Sequence, residues 1–264
     1  MGFITLLSDF GLQDASVASV KGVLAQHLTE ARIIDISHEL EPFYLQQAAY
    51  LLLSSYKSFP QHTCHILLFD VFYDATPKLV ICEKDGHYFL APDNGILSLT
   101  FGFTPENVWK GFELPPSGGF KDWLDAVAKL AATLQTQTPE LLGLEAYELR
   151  NSPQHLRPKI DGNTVECHVI HIDRFENVIL NITREQFEKI GRNRPFSIQF
   201  MRDEAITGIS THYTNVREGE KLCRFNHTGY LEIAINRGKA ASLLGLKLHR
   251  EQHLIYNTIK ISFE

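Results

Sequence analysis

Cysteine is scarce in this chain: Cys64, Cys82, Cys167 and Cys223 are the four in 264 residues. No two form a CxxC pair, which excludes a zinc ribbon or a thioredoxin-type motif by spacing, and four are too few to frame a chain of this length with disulfides. Basic runs are also absent. Lys plus Arg number 25 against 31 Asp plus Glu, a net charge of −6, which argues against a nucleic-acid partner gripped through its phosphates. No basic amphipathic helix is present, which argues against a membrane-surface role. The longest apolar stretch, "AAYLLLSSY", is broken by polar residues and far from transmembrane length. The start, "MGFITLLSDFG", lacks the basic segment and the long apolar run of a signal peptide. A cytoplasmic protein is expected. Neither GxGxxG nor GxxxxGK[ST] occurs, so a nucleotide polyphosphate is a poor candidate ligand. A Gly-x-Ser-x-Gly nucleophile elbow is missing too.

What is present is a globular composition, 44% hydrophobic and 21% charged. The first half alternates strands and helices. "FITLL" (3–7), "RIIDI" (32–36) and "CHILLFD" (64–70) read as strands, the last apolar on both faces. Between them, Val17, Val20, Val23, Leu24 and Leu28 keep a 3.6-residue period after Asp14 and Ser16, and 46–56 forms a second helix. Strand–helix–strand–helix–strand predicts a parallel sheet with right-handed crossovers. "LVICEKDGHYFLAP" predicts a hairpin turning at Asp85-Gly86, "PDNG" (92–95) a tight turn, and 121–135 a long amphipathic helix. The stretch 145–162, rich in Pro, Asn and Arg, is the best domain boundary. Beyond it β-like runs dominate, interrupted by one short helix, "REQFEKIG". The expected architecture is an N-terminal α/β domain over 1–150, its sheet largely parallel with flanking helices, and a smaller all-β barrel domain over 160–264.

Ligands of parallel sheets bind at the carboxyl ends of the strands. Asp9 follows the first strand, Asp35, Ser37 and His38 the second, and Asp70 the third, with Asp93 and Asn94 in the PDNG turn. Short carboxylates and amides suit sugar hydroxyls or a metal ion. Each also has a plainer reading: Asp9 before Phe10-Gly11 and Asp93-Asn94-Gly95 both suit turns, and His38 can cap a strand end. His168 and His171, three apart in a strand, fall on opposite faces and make poor joint ligands. A small polar ligand is the expectation at this level.

Five segments resemble the S-adenosylmethionine hydroxide adenosyltransferase family, which includes the chlorinase and fluorinase halide synthases. They are "ITLLSDFGLQDASVASVKGVL" (4–24), "IIDISHELEPFYLQQAAYLLL" (33–53), "APDNGILSL" (91–99), "IDRFENVILNI" (172–182) and "GYLEIAINRGKAASLLGL" (229–246). The resemblance implies a homotrimer binding S-adenosylmethionine or adenosine between the N-terminal domain of one subunit and the C-terminal domain of the next. Hydroxide or halide attacks the ribose C5′ carbon in line, methionine leaves, and no metal or other cofactor takes part. It assigns Asp9 to the ribose hydroxyls and places Phe43 near the aromatic that packs on the nucleoside. Asp173, Phe175 and Asn177 match an Asp-x-Phe-Gly-Asn motif, the Asp and Asn touching the methionine part and the Phe lining the adenine pocket. Tyr213 corresponds to an aromatic near the adenine, and Asn236 and Arg237 lie where backbone groups read its edge.

The departures from the family pattern are as informative. Where it has Asp-Pro-Gly-Val-Gly-Thr-x-Arg, this chain has "DVFYDATP" followed by Lys78. Asp70 is retained, Val71-Phe72 replace Pro-Gly, and Pro77 takes the place of the Arg. "GGFKD" (118–122) stands where the hydrolase branch has Phe-His-Gly-Arg-Asp, with no His. Glu176 replaces a Gly, and His227-Thr228 stand where halide synthases have Ser-Arg. Three readings follow. The first is an S-adenosylmethionine hydrolase in which Asp9 holds the ribose, Asp70 orients water and Lys78 assists, although Lys is a point charge rather than a planar fork. The second is a catalytically degenerate binder of adenosine or S-adenosylmethionine. The third is a metal-dependent hydrolase built on Asp9, Asp70, Asp93 and His38.

Overall fold

A computed structural model describes residues 2–102, 107–115, 117–150, 156–201, 204–248 and 258–264. The chain divides into two compact units, 1–154 and 155–264. Among the described residues no helix is long and apolar enough to cross a membrane.

The first unit runs β1 (Phe3–Ser8), α1 (Ser16–His27), β2 (Arg32–Ser37), α2 (Leu45–Ser55), β3 (Cys64–Leu68), β4 (Lys78–Lys84), β5 (His87–Pro92), α3 (Ile96–Phe101), β6 (Asn107–Glu113) and α4 (Phe120–Thr133). Its six-stranded sheet has the order β2-β1-β3-β5-β4-β6. β2, β1, β3 and β5 are parallel, while β4 and β6 add an antiparallel edge. The predicted hairpin is β4–β5, and its turn residues Asp85 and Gly86 both take positive φ, 53° and 76°, as a two-residue hairpin turn requires. Central β3 is buried along its whole length, which is why its residues, His65 apart, are apolar on both faces. One face packs on α1 and α4 through Ile4, Leu6, Ile66, Leu68, Leu24 and Trp123. At about 25 cal/mol per Å2 of buried apolar surface, each such side chain contributes roughly 1.5–3 kcal/mol.

Two elements exceed the expectation. The PDNG segment starts a helix, α3, because the Asn94 side chain accepts the Ile96 N–H (3.1 Å) after Gly95 at φ 96°. β6 was not foreseen because its sequence, "NVWKGFE", has little alternation. The Asp14 carboxylate accepts the Ser16 N–H (2.8 Å) at the start of α1, the local bonding expected before a helix.

The second unit contains β7 (Lys159–Asp161), β8 (Thr164–Ile172), β9 (Val178–Thr183), α5 (Arg184–Gly191), β10 (Phe196–Met201), β11 (Glu204–Ile206), β12 (Lys221–Phe225), β13 (Tyr230–Ile235), α6 (Ala240–Leu244) and β14 (Thr258–Phe263). Its strands pair antiparallel in the order β11-β10-β14-β8-β9-β13-β12, with β7 on β8. A bridge from Ile209 to Cys223 brings the two ends together, so the sheet is nearly a closed barrel. α6, in the "GKAASLLG" segment, was not foreseen. The part of the last predicted strand over 253–257 lies outside the described residues, as do 151–155 in the predicted boundary.

One expectation is corrected. His168 and His171 are not on opposite faces: a bulge between Val169 and His171 leaves Ile170 unpaired. The extra residue shifts the two-residue alternation by one. Val165, Cys167 and Val169 face the core before the bulge and Ile172 packs on it afterwards, so both histidines lie on the outer face.

On the other face of the first sheet, His65 is fully buried. Its Nδ1 lies 2.7 Å from Thr5 Oγ1, its Nε2 lies 3.2 Å from His87 Nδ1, and its ring stacks on Phe89. Burial, with His87 adding to it, pushes the His65 imidazole down from 6.5 to about 3. The folded state therefore stays neutral where the unfolded chain takes up a proton, and stability is lost as pH falls from 6.5 toward 3. Urea unfolding at neutral pH and near pH 4 should differ by about 3 kcal/mol from this group, and His65→Phe should flatten that dependence. Equal pH dependence in both proteins would rule this origin out.

Candidate active site

At the carboxyl edge of the first sheet the loops after β1 and β3 meet. β1 and β3 are parallel neighbours, so Asp9 and Asp70, just beyond their ends, come to the same edge. The Asp70 N–H donates to Asp9 Oδ2 (3.2 Å). Asp70 takes a left-handed backbone, φ 44°, a conformation that Asp tolerates better than most L-residues. Asn94, at the start of α3, donates from Nδ2 to the carbonyls of Phe69 (2.8 Å) and Asp70 (3.4 Å). The turn is thus held from below by β5 and from the side by Asp9.

Burial raises the Asp9 carboxyl; the N–H groups of Asp70 and of Asp9 itself act the other way, and the Asp70 charge adds a further upward push. Burial also raises Asp70. Two partly desolvated carboxyl groups on loops joined by the Asp70 N–H can accept from ribose-type hydroxyls and from an attacking water.

Phe10, Phe72 and Phe120 collect around this edge. Phe10 meets Phe120 edge-on at 5.4 Å between ring centroids, and Phe72 meets Phe120 at 6.4 Å. Phe72 is 51% exposed. Val71, its partner in the replaced Pro-Gly pair, is buried in the core. None of the three rings was singled out from the sequence; aromatic residues in or directly after stretches rich in turn formers were the available signal.

Lys78 begins β4 and lines a different pocket, of about 460 Å3, with Tyr73, Asp93, Tyr147 and Arg150. Its N–H donates to Tyr73 Oη (3.3 Å). Asp93 is buried, 5% exposed, and accepts from Tyr147 Oη (2.9 Å) and the Arg150 N–H (2.8 Å). Burial raises Asp93; the Arg150 N–H, the Tyr147 hydroxyl and then the charge of Lys78 pull it down. The ammonium of Lys78 therefore acts on Asp93, whereas burial is what governs Asp70. Pro77 is buried and its carbonyl accepts the Leu114 N–H (3.0 Å). Phe43 sits 71% exposed at φ 64°.

In the second unit, Asp173 and Asn177 form a closed turn. Asp173 Oδ1 accepts the N–H groups of Phe175 and Asn177, and Oδ2 accepts Asn177 Nδ2, each at 2.9 Å. Phe175 is thrown outward, 73% exposed. Glu176 takes the left-handed conformation, φ 63°, that a Gly would adopt without strain. Its carboxylate bonds the N–H and Oγ of Ser242 and pairs with Lys239 at 2.8 Å, contacts with Lys239 and Ser242 that hold it down near 2. Tyr213 donates to Glu232 Oε1 (2.7 Å), a buried carboxylate raised by its burial and missed from the sequence. The backbone of Asn236 is already paired, its carbonyl with the Gly219 N–H (2.8 Å) and its N–H with the Glu220 carbonyl (3.0 Å). Arg237, at φ 56°, pairs with Glu218 at 3.4 Å.

Among the described residues no group of three or more His, Cys, Asp or Glu side chains gathers as metal ligands. Asp9 accepts the Asp70 backbone N–H, Asp93 turns to Tyr147 and Arg150, and His38 turns to Ser8 and Asp35. These four do not form one donor set, which removes the metal-hydrolase reading built on them.

The fold defines a two-domain protein, α/β plus a β-barrel-like unit, with Asp9 and Asp70 brought together at the strand ends of the first. The chain belongs to the S-adenosylmethionine hydroxide adenosyltransferase family: the family's N-terminal domain matches residues 4–142 and its C-terminal domain residues 167–252. It is 27% identical to the (R)-S-adenosyl-L-methionine hydrolase of Methanocaldococcus jannaschii, over 97% of each chain. It is 28% identical to the enzyme of that name from Thermus thermophilus, over 92% of this chain and 96% of the relative. A fluorinase of Actinopolyspora mzabensis is 22% identical over 92% and 94%. The crystal structure of a conserved protein from Thermotoga maritima superposes with a TM-score of 0.76 at 26% identity, over 98% of this chain and 99% of that one.

The left-handed Asp70 turn separates structural from chemical roles. In Asp70→Gly, relief of backbone strain offsets the greater freedom of Gly in the unfolded chain, so unfolding free energy should stay within about 1 kcal/mol of the parent. A loss of more than about 2 kcal/mol in urea unfolding would mean that the carboxylate itself holds the fold.

Proposed function

We propose that this chain hydrolyses S-adenosylmethionine at the C5′–S bond: water adds to C5′, the S–C5′ bond breaks with its electron pair on sulfur, and adenosine, methionine and a proton result. The observation that carries this reading is the contact of Asp9 with the Asp70 turn at one sheet edge, in a chain whose relatives include proteins named (R)-S-adenosyl-L-methionine hydrolase. Asp9 holds the ribose hydroxyls. Asp70, raised by burial, orients the water and accepts its proton as C5′–O forms. The sulfonium is an activated leaving group, so the protein mainly orients and desolvates the nucleophile. Lys78 assists through its charge, from the side of Asp93. No metal or other cofactor is required.

The remaining ligand contacts are assigned to Phe43 and, from the second domain, to Asp173, Phe175, Asn177, Tyr213, Asn236 and Arg237. With domains at 1–150 and 160–264, these come from the neighbouring subunit of a cytoplasmic homotrimer. Phe43 and Phe175, the most exposed aromatic side chains in their respective loops, suit a role completed only when a ligand or second subunit covers them.

A second reading is a binder that has lost turnover. Buried Pro77 at the family's Arg position and Gly119 in the GGFKD stretch favour it. Loss of one acid–base or positioning group costs about 10²–10⁴-fold, so what remains is either slow or nil.

Incubation with S-adenosylmethionine, followed by chromatographic detection of adenosine and methionine, tests the proposal. Turnover should fall at least about 100-fold in Asp70→Ala. Gly119 adopts an extended backbone and a Cβ there meets only the Asp122 carboxylate, at 3.9 Å, so Gly119→His should fold and raise turnover. Saturable nucleoside binding without product above the Asp70→Ala level would leave the binder reading in place of the hydrolase.

A further inference from the structure

The segment that carries Asp9 is gripped at both ends by one residue, His38, which the proposed chemistry does not use. A bulge between Leu6 and Leu7 on β1 pairs Leu6 with Asp35 but Leu7 with Ser37. The extra residue on β2 advances its register by one, which brings His38 beside Ser8 at the strand ends. The His38 ring is 4% exposed and Ser8 is fully buried. His38 Nδ1 lies 2.6 Å from Ser8 Oγ, and the His38 carbonyl accepts the Gly11 N–H at 2.7 Å. Asp9 lies between these two clamps. Ser8 Oγ also stands 3.5 Å from the Phe10 N–H.

The far side of the ring meets a carboxylate. His38 Nε2 is 3.1 Å from Asp35 Oδ1, an oblique approach rather than an aligned hydrogen bond. The other Asp35 oxygen takes Lys21 Nζ from α1 at 2.6 Å. An anionic Asp35 favours the proton on Nε2, leaving Nδ1 to accept from the Ser8 hydroxyl. The chain Lys21–Asp35–His38–Ser8 thus runs from the surface to the residue before Asp9. Ser8 has no exposure and so cannot serve as a nucleophile in this arrangement; a Ser-His-Asp set of this kind has orientation to offer.

We propose that His38 is the positioning residue for Asp9, holding the Ser8–Gly11 segment so that the Asp9 carboxylate meets both the Asp70 turn and the ribose of the ligand. This rests on the reading of Asp9 as the ribose contact. The proposal makes a ligand-specific statement: loss of His38 weakens recognition of a ribose while leaving recognition of a bare adenine ring alone.

Calorimetric titration of the full chain with adenosine and with adenine decides it. His38→Ala should weaken adenosine about tenfold, the scale of one lost buried hydrogen bond, and leave adenine unchanged. His38→Asn, whose amide reaches the place of Nδ1, should recover most of the loss, and Ser8→Ala should reproduce it without removing a large buried ring. In an Asp9→Ala background, His38→Ala should add nothing, because residues acting through one another are not additive. Equal losses for adenosine and adenine, additive losses with Asp9→Ala, or no recovery in His38→Asn would each overturn the proposal. Adenosine binding that responds to Asp9→Ala but to neither His38 nor Ser8 variants removes this inference alone. Adenosine binding indifferent to Asp9→Ala, or absent altogether, removes the ribose assignment on which it stands.

Discussion

The hydrogen bond from the Asp70 amide to the Asp9 carboxylate is the contact on which the site depends. It exists because β1 and β3 are parallel neighbours that end at one edge, and because Asp70 turns into the left-handed region immediately after β3. An ordinary extended residue there would carry the chain past Asp9. The cost of that turn is met by neighbours that over-determine it: Asn94 takes the carbonyls of Phe69 and Asp70 while also starting α3. Since Asn94 follows β5, the next strand in the sheet, three successive strand ends lock one backbone turn. A strained residue so braced is a natural place for chemistry.

The departures from the family pattern, in each unit, have structural counterparts. Val71 and Phe72, in place of Pro-Gly, divide their roles: Val71 enters the core and Phe72 joins Phe120 and Phe10 in an aromatic rim. Glu176 occupies a left-handed position better suited to Gly, and ties the Asp173–Asn177 turn to the start of α6 through Ser242 and Lys239. Its carboxylate makes the strained conformation part of a cap. Pro77 and Lys78 belong to the start of β4, where Pro77 gives its carbonyl to Leu114 and Lys78 looks toward Asp93. The rebuilt loop is therefore coherent as structure, and the charge of Lys78 acts on its Asp93 side.

Much of this was legible in the residues. β3 could be read from a run that is apolar but for His65, since a strand covered on both faces has little polar side to show. α1 and α4 could be read from their period, and the β4–β5 hairpin from Asp85-Gly86. The candidates Asp9, Asp70 and Asn94 followed from the rule that ligands gather at strand ends. β6 and α3 were not legible, because "NVWKGFE" barely alternates and "PDNG" describes a turn as well as it describes a helix start. The bulge that puts His168 and His171 on one face leaves no sign in composition, since it is set by pairing with β9 rather than by β8 itself.

The sequence by itself determined which segments are apolar enough to be strands and helices, their order, and the residues left polar at their ends; local propensity and periodicity suffice for that. Only the tertiary structure decided partners. It sent Asp93 to Tyr147 and Arg150, joined Asp70 to Asp9, and set His38 against Ser8 through a one-residue slip in the β1–β2 register. Such pairings depend on long-range strand order and on bulges, each a sum of many small packing and hydrogen-bond terms spread across the chain. No short stretch of sequence contains that sum, so which carboxylate meets which amide becomes readable only once the strands have been laid side by side.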